Sequence, residues 1–328
     1  MTYGKRFLVT GAGGFIGSHL VQTLMQRGAS VRAMVRYTSN SSLGNLAFLP
    51  QEMVDSLDIA AGNIEDSDFV LRTVEGVDIV LHLAALIGIP YSYHAPRSYI
   101  RTNIEGTLNV LEAARRLGTE RVVHTSTSEV YGTAQRVPID EDHPLQGQSP
   151  YSASKIGADK IAESYHRSFE TPVVTLRPFN TFGPRQSARA FIPTVISQAL
   201  ERGKISLGSL DPQRDMTFVD DTVEGFLRAA LASGIEGETI NLGVGSAHTV
   251  GEIANRILAH MGIDMPIRLD PQRVRPAASE VVKLVSDNSK AKRLLGWGPR
   301  VSLDEGLLRT IEFVRQNRSF YRPGIYAV

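Results

Sequence analysis

The 328-residue chain has no cysteine. That excludes a disulfide framework, thiol catalysis and thiolate metal sites, and it fits a reducing, cytoplasmic setting. No sign of charge prevails. Lys and Arg number 35 against 34 Asp and Glu, a net +1, so no basic field points to nucleic acid. No apolar run reaches the ~20 residues that a membrane span needs. The longest, 77–90, is interrupted by Asp78 and His82. Near the start, Lys5 and Arg6 precede an apolar run that glycines break at once, which argues against a signal peptide. Internal repeats and low-complexity tracts are lacking. The histidines show no metal-ligand spacing, so no metal site is expected. Acidic residues are missing from the whole stretch before Glu52, an absence that bears on the choice of cofactor.

What is present is the balance of a globular protein: 42% hydrophobic and 21% charged residues, enough to exclude a disordered chain. Short apolar runs at 7–10, 31–35, 79–83, 122–125 and 173–177 predict buried strands. Between them, 16–27, 100–117 and 151–169 carry apolar residues at helical spacing. This alternation predicts an α/β fold, a Rossmann-like doubly wound parallel sheet covered on both faces. After Arg177 the pattern loosens, and Pro178, Gly183, Pro184 and Pro193 punctuate it. We therefore expect a dinucleotide-binding domain over 1–177 and a smaller α+β substrate lobe over 178–328. A return to the sheet is expected within 218–262, through the run 239–242 and the helical pattern 250–261. Ligands of such sheets bind outside the carboxyl ends of the strands.

The run 7–10 leads directly into Gly11-Ala12-Gly13-Gly14-Phe15-Ile16-Gly17. Glycines at 11, 14 and 17 permit a tight turn and close approach to a pyrophosphate, and the helix N-terminus beyond offers free N–H groups. The end of the second strand should choose the cofactor, since a carboxylate there suits NAD and an arginine suits NADP. Arg36 stands at that end and no carboxylate is nearby. NADP is expected, with NAD held by neutral contacts as the alternative.

Tyr151 and Lys155 lie one helical turn apart, just after Pro150. A nearby ammonium favours phenolate, so Tyr151 is expected to act as a base near neutral pH. The run 122–125 leads to Ser126-Thr127-Ser128-Glu129, which places hydroxyls and a carboxylate where a nicotinamide should lie.

These motifs together resemble the extended short-chain dehydrogenase/reductase superfamily over nearly the whole chain. Thr10-Gly11-x-x-Gly14-Phe15-Ile16-Gly17 is similar to its cofactor motif, Leu83-Ala84-Ala85 to its fourth-strand cofactor contact, and Tyr151-x-x-x-Lys155 to its catalytic pair. Asn63-Ile64 resembles the adenine-contacting segment, with Asn63 where the superfamily usually has Asp. Thr127-Ser128-Glu129 resembles the triad of sugar-nucleotide 4,6-dehydratases. The loops 138–151 and 184–190 look closest to N-acetylglucosamine-nucleotide 4,6-dehydratases of legionaminic-type pathways.

The resemblance implies a UDP- or GDP-N-acetylglucosamine substrate and a 4-keto-6-deoxy product. Tyr151 would take the O4 proton as C4 gives a hydride to a tightly bound, recycled cofactor. Thr127 would hold O4, Glu129 would take the C5 proton, and Ser128 would position water or relay a proton as the C6 hydroxyl leaves. Ser92, Asn180, Arg214 and Arg275 resemble substrate contacts, the two arginines as phosphate ligands. In the superfamily the helices matching 100–117 and 151–169 often pair across a two-fold axis, so the resemblance implies a homodimer through a four-helix bundle. Three alternatives stay open: UDP-glucuronic acid decarboxylation, 4-epimerisation, and a non-catalytic NADP-binding regulator.

Overall fold

The computed structural model describes residues 4–201, 203–274 and 276–321. Seven strands form the central sheet: β1 (Arg6–Thr10), β2 (Ser30–Arg36), β3 (Asp58–Gly62), β4 (Ile79–His82), β5 (Arg121–Thr125), β6 (Val173–Pro178) and β7 (Thr239–Leu242). Their order is β7-β6-β5-β4-β1-β2-β3, and every pairing is parallel. The chain order therefore reverses between β1 and β4, and a crevice opens at their carboxyl ends.

Alternate residues of each inner strand pack on opposite layers, so these strands read as unbroken apolar runs. Phe7 and Val9 face a core shared with α1 (Phe15–Gln26), while Leu8 faces one shared with α2 (Ser67–Val74) and α3 (Gly106–Leu117). The long helix α4 (Pro150–Phe169) lies beside α3. Ser149 starts α4: its hydroxyl accepts from Ser152 N–H, and Pro150 occupies a first-turn position where no backbone donor is needed. That cap fixes Tyr151 in the first turn.

Beyond β6 the chain forms α5 (Phe191–Leu200), α6 (Val219–Leu231), α7 (Val250–Met261) and α8 (Leu303–Gln316), with three two-stranded pairings between short segments. β7 pairs with β6, and α6 covers the sheet on the α1 side. β3 was not expected from the sequence. It is a largely exposed edge strand, and its Asp58 is held by Arg32 and Arg6 instead of by apolar packing. The expected helix over 100–117 is two pieces, a π-helical segment Ile100–Glu105 followed by α3.

Candidate active site

β1 delivers the chain into the glycine turn at the crevice. Gly11 has φ +68°, and a Cβ there would come within 2.9 Å of the Ala84 nitrogen. A Cβ on Gly17 would lie 2.3 Å from the Gly11 carbonyl oxygen. Both positions require glycine for reasons of space. Gly14 caps α1 without a side-chain hydrogen bond, and no acidic residue stands in the first turn. The first N–H groups of α1, from Phe15, Ile16 and Gly17, therefore face the crevice without intrahelical carbonyls, at the positive end of the helix dipole. These features fit the pyrophosphate of a dinucleotide.

The neighbouring loop is fastened to this turn. Thr10 Oγ1 accepts from the N–H groups of Leu83 (3.0 Å) and Ala84 (3.1 Å). Thr107 Oγ1 donates to Asn103 O at 2.6 Å, so it accepts from His82 Nε2 at 3.0 Å. His82 Nδ1 is then the acceptor for the Thr10 hydroxyl at 2.8 Å. Burial above all, with the Lys155 charge nearby, holds His82 neutral. Leu83, Ala84 and Ala85 are thus set, half-buried, beside the cradle.

At the end of β5, Thr127 caps the short turn Ser128–Tyr131, and its hydroxyl accepts from Glu129 N–H at 3.2 Å. The same side chain hydrogen-bonds Tyr151. Glu129 is half-buried and close enough for its charge to act on Tyr151, while Ser128 is buried. The structure therefore brings Thr127, Glu129 and Tyr151 together.

The state of Tyr151 differs from the expectation. Burial pushes its hydroxyl above the ordinary tyrosine range; Thr127 opposes this, while Glu129, Tyr99 and Asp159 add to it. In the protein alone the phenol keeps its proton. Burial also lowers Lys155, to about 8, against the pull of Asp159.

Asp159 was missed in the sequence. It lies one turn beyond Lys155 and accepts from His124 Nε2 (3.0 Å), Ser126 Oγ (2.7 Å), and Arg177 Nε (3.2 Å) and Nη2 (3.1 Å). Arg177 continues to the Tyr131 hydroxyl, which donates to Asn241 on β7. An acid at the fourth position after Lys155 was the available signal, because that spacing puts both on one helix face.

The remaining expected residues scatter. The Asn180 side-chain oxygen is buried and has no hydrogen-bond partner among the described residues. Ser92 is fully buried and donates to Ile89 O within its own short helix. Arg214 is buried against Glu280 (2.9 Å) and also donates to Val281 O. Arg275 lies outside the described residues. Asn63 is exposed, with its side-chain oxygen accepting from Glu65 N–H, and Ile64 is buried. Arg36 is exposed at the end of β2.

A doubly wound sheet with a glycine cradle at its reversal point and a Thr-Glu-Tyr-Lys set at the adjacent strand ends defines a dinucleotide-dependent enzyme. The chain belongs to the GDP-mannose 4,6 dehydratase family, which it matches over residues 8–310. Membership places it among enzymes of nucleotide sugars, in the dehydratase/epimerase class. It is 34% identical to UDP-glucose 4-epimerase of Mycolicibacterium smegmatis, over 94% of this chain and 98% of that one. The solved dTDP-glucose 4,6-dehydratase of Streptomyces venezuelae, with NAD bound, superposes with a TM-score of 0.87 at 32% identity, covering 97% of this chain and 99% of that one. UDP-glucuronic acid 4-epimerase of Bacillus cereus, in complex with UDP-glucuronic acid and NAD, gives 0.84 at 30% identity, with 95% and 99% covered.

Those two structures hold NAD, and so do further solved relatives, which overturns the expectation of NADP. The physical reason lies at Arg36. An exposed guanidinium is screened by water and gains little from a 2′-phosphate, while Thr38, Ser39 and Asn40 offer neutral partners to a ribose hydroxyl.

Proposed function

We propose that the protein is an NAD-dependent 4,6-dehydratase of a nucleotide-diphosphate hexose. The observation that carries this reading is Glu129, held on the Thr127-capped turn within electrostatic reach of Tyr151. Exchange of configuration at C4 needs one group to move the O4 proton. Elimination across C5 and C6 needs a second base for the C5 proton, and Glu129 is that second group. Bound NAD supplies the hydride acceptor and donor. Tyr151 moves the O4 proton, and Thr127 orients both O4 and the Tyr151 hydroxyl. Glu129 removes the C5 proton, and Ser128 relays it to the C6 hydroxyl, which leaves as water. Lys155 serves the cofactor ribose. The vacant acceptor on Asn180 supports a contact to a sugar hydroxyl or amide. Ser92 is proposed to line the sugar side, and Arg275 to hold diphosphate. Arg214 can join it only by exchanging Glu280 for phosphate.

The loops 138–151 and 184–190 support an N-acetylglucosamine nucleotide as substrate. The division at residue 177, with the return over 218–262, remains our reading of the cofactor and sugar lobes. Ile100 and Leu108, exposed on the π-helical segment and α3, support the homodimer. A second reading, 4-epimerisation, is favoured by the relatedness to UDP-glucose and UDP-glucuronic acid 4-epimerases. Mass spectrometry after incubation with UDP-, GDP- and dTDP-hexoses, N-acetylhexosamine and hexuronate forms included, separates the two. A product lighter by one water supports the dehydratase. Isomerisation at unchanged mass, with no loss of water from any substrate, replaces it with the epimerase.

A further inference from the structure

Lys155 is 4% exposed, and Asp159, on the same face of α4, is 5% exposed. Lys155 donates no hydrogen bond to Asp159 or any other described side chain; it feels that carboxylate as a charge. Asp159 is fixed from two strands. His124 and Ser126 reach it from β5 and the residue after it, and Arg177 reaches it from β6, four donor groups in all. A carboxylate so fully engaged cannot swing toward Lys155 or away from it. His124 donates through Nε2, and its buried Nδ1 has no partner among the described residues, so it is neutral.

Other groups surround this pair. His82 approaches from β4 and stacks on His124, Glu129 stands on the turn after β5, and Tyr151 and Tyr99 lie toward the first turn of α4. The histidines and tyrosines are uncharged at neutral pH, and Arg177 is a like charge. Asp159 is the group whose charge favours the ammonium. It is too deeply buried to touch the sugar.

We propose that Asp159 is a positioning residue of the reaction: its clamped carboxylate supplies the negative charge that keeps Lys155 an ammonium at the catalytic wall. The assignment of Lys155 to the cofactor rests on the function proposed above; the electrostatic coupling itself does not.

The test has one arm independent of turnover. The chain has only seven lysines, so isotope labelling of lysine side chains gives a simple NMR spectrum, in which the Lys155 signal is identified by its loss in Lys155→Met. In the purified full chain before sugar is added, Lys155 should titrate about one pH unit or more lower in Asp159→Asn than in the parent. An unmoved titration overturns the proposal. In the second arm, the alkaline fall of kcat in the pH profile should move down with it, and activity should recover at lower pH. A uniform loss at every pH, with the alkaline limb unmoved, would mean that Asp159 only holds the fold. Should Asp159→Asn not fold, Asp159→Glu displaces the charge by a methylene. The Lys155 titration must then move, and a parent-like value overturns the proposal. If no nucleotide sugar is turned over, the proposed function fails while the NMR arm still decides the coupling.

Discussion

The glycine cradle and the Tyr151 wall occupy neighbouring strand ends of one sheet, yet they are made of opposite materials. The cradle is backbone, and its function comes from what is missing: no Cβ at Gly11 or Gly17, no side-chain cap and no acid in the first turn of α1. The wall is side chains, many of them charged and buried, held by partners far away in sequence: Asp159 by Ser126, His124 and Arg177. A cradle of that kind accepts any dinucleotide pyrophosphate. In the proposed function the wall fixes which reaction follows, because each of its groups is assigned a particular proton to hold or move.

That contrast can be broken most sharply at Glu129. Glu129→Gln keeps size and hydrogen bonding but removes the base. Water loss should fall by roughly two to four decades, while NAD affinity, measured by calorimetry, stays at the parent value. The converse substitution is Gly17→Ala. Its Cβ would overlap the Gly11 carbonyl, so the turn must shift. NAD binding should weaken about tenfold or more, and stability should fall by about 1–3 kcal/mol in denaturant titration, as overpacking does. The helix-propensity gain of about 1 kcal/mol from alanine offsets only part of this.

Arg214 sharpens the comparison on the sugar side. If its work is to pair with Glu280 and Val281 O, Arg214→Met should cost about 1–3 kcal/mol of stability by removing both buried bonds. The KM for the nucleotide sugar should change little. A large KM effect with unchanged melting would restore the phosphate role. The smallest effect is expected at Arg36. Arg36→Ala should change stability by less than about 0.5 kcal/mol and leave NAD affinity near the parent value, since the exposed guanidinium contributes little to either.

The same contrast explains what the sequence revealed. The inner strands, the cradle and the Tyr151 helix start were legible because each is a local pattern: an apolar run, a glycine spacing, a helix opening just after Pro150. β3 was not, since an exposed edge strand needs no apolar run and is held by Arg6 and Arg32 from other strands. The helical spacing of 100–117 was legible, but the π-helical form of its opening was not, and Asn103 there bonds Leu86 and Ser154 across the fold. Arg214 carries the residue type of a phosphate ligand, but it bonds an acid 66 positions away, Glu280. Arg36 misled for the opposite reason: a local rule was applied to a residue that the fold leaves in water.

The central claim is that Glu129 adds elimination at C5 to the oxidation that Tyr151 supports at C4. Turnover in deuterated water tests it most directly. A base that takes the C5 proton exchanges it with solvent, so the product should be lighter by water and carry solvent deuterium at C5. A product of unchanged mass, inverted at C4 and free of deuterium at C5, would contradict the claim and leave Glu129 without a catalytic part.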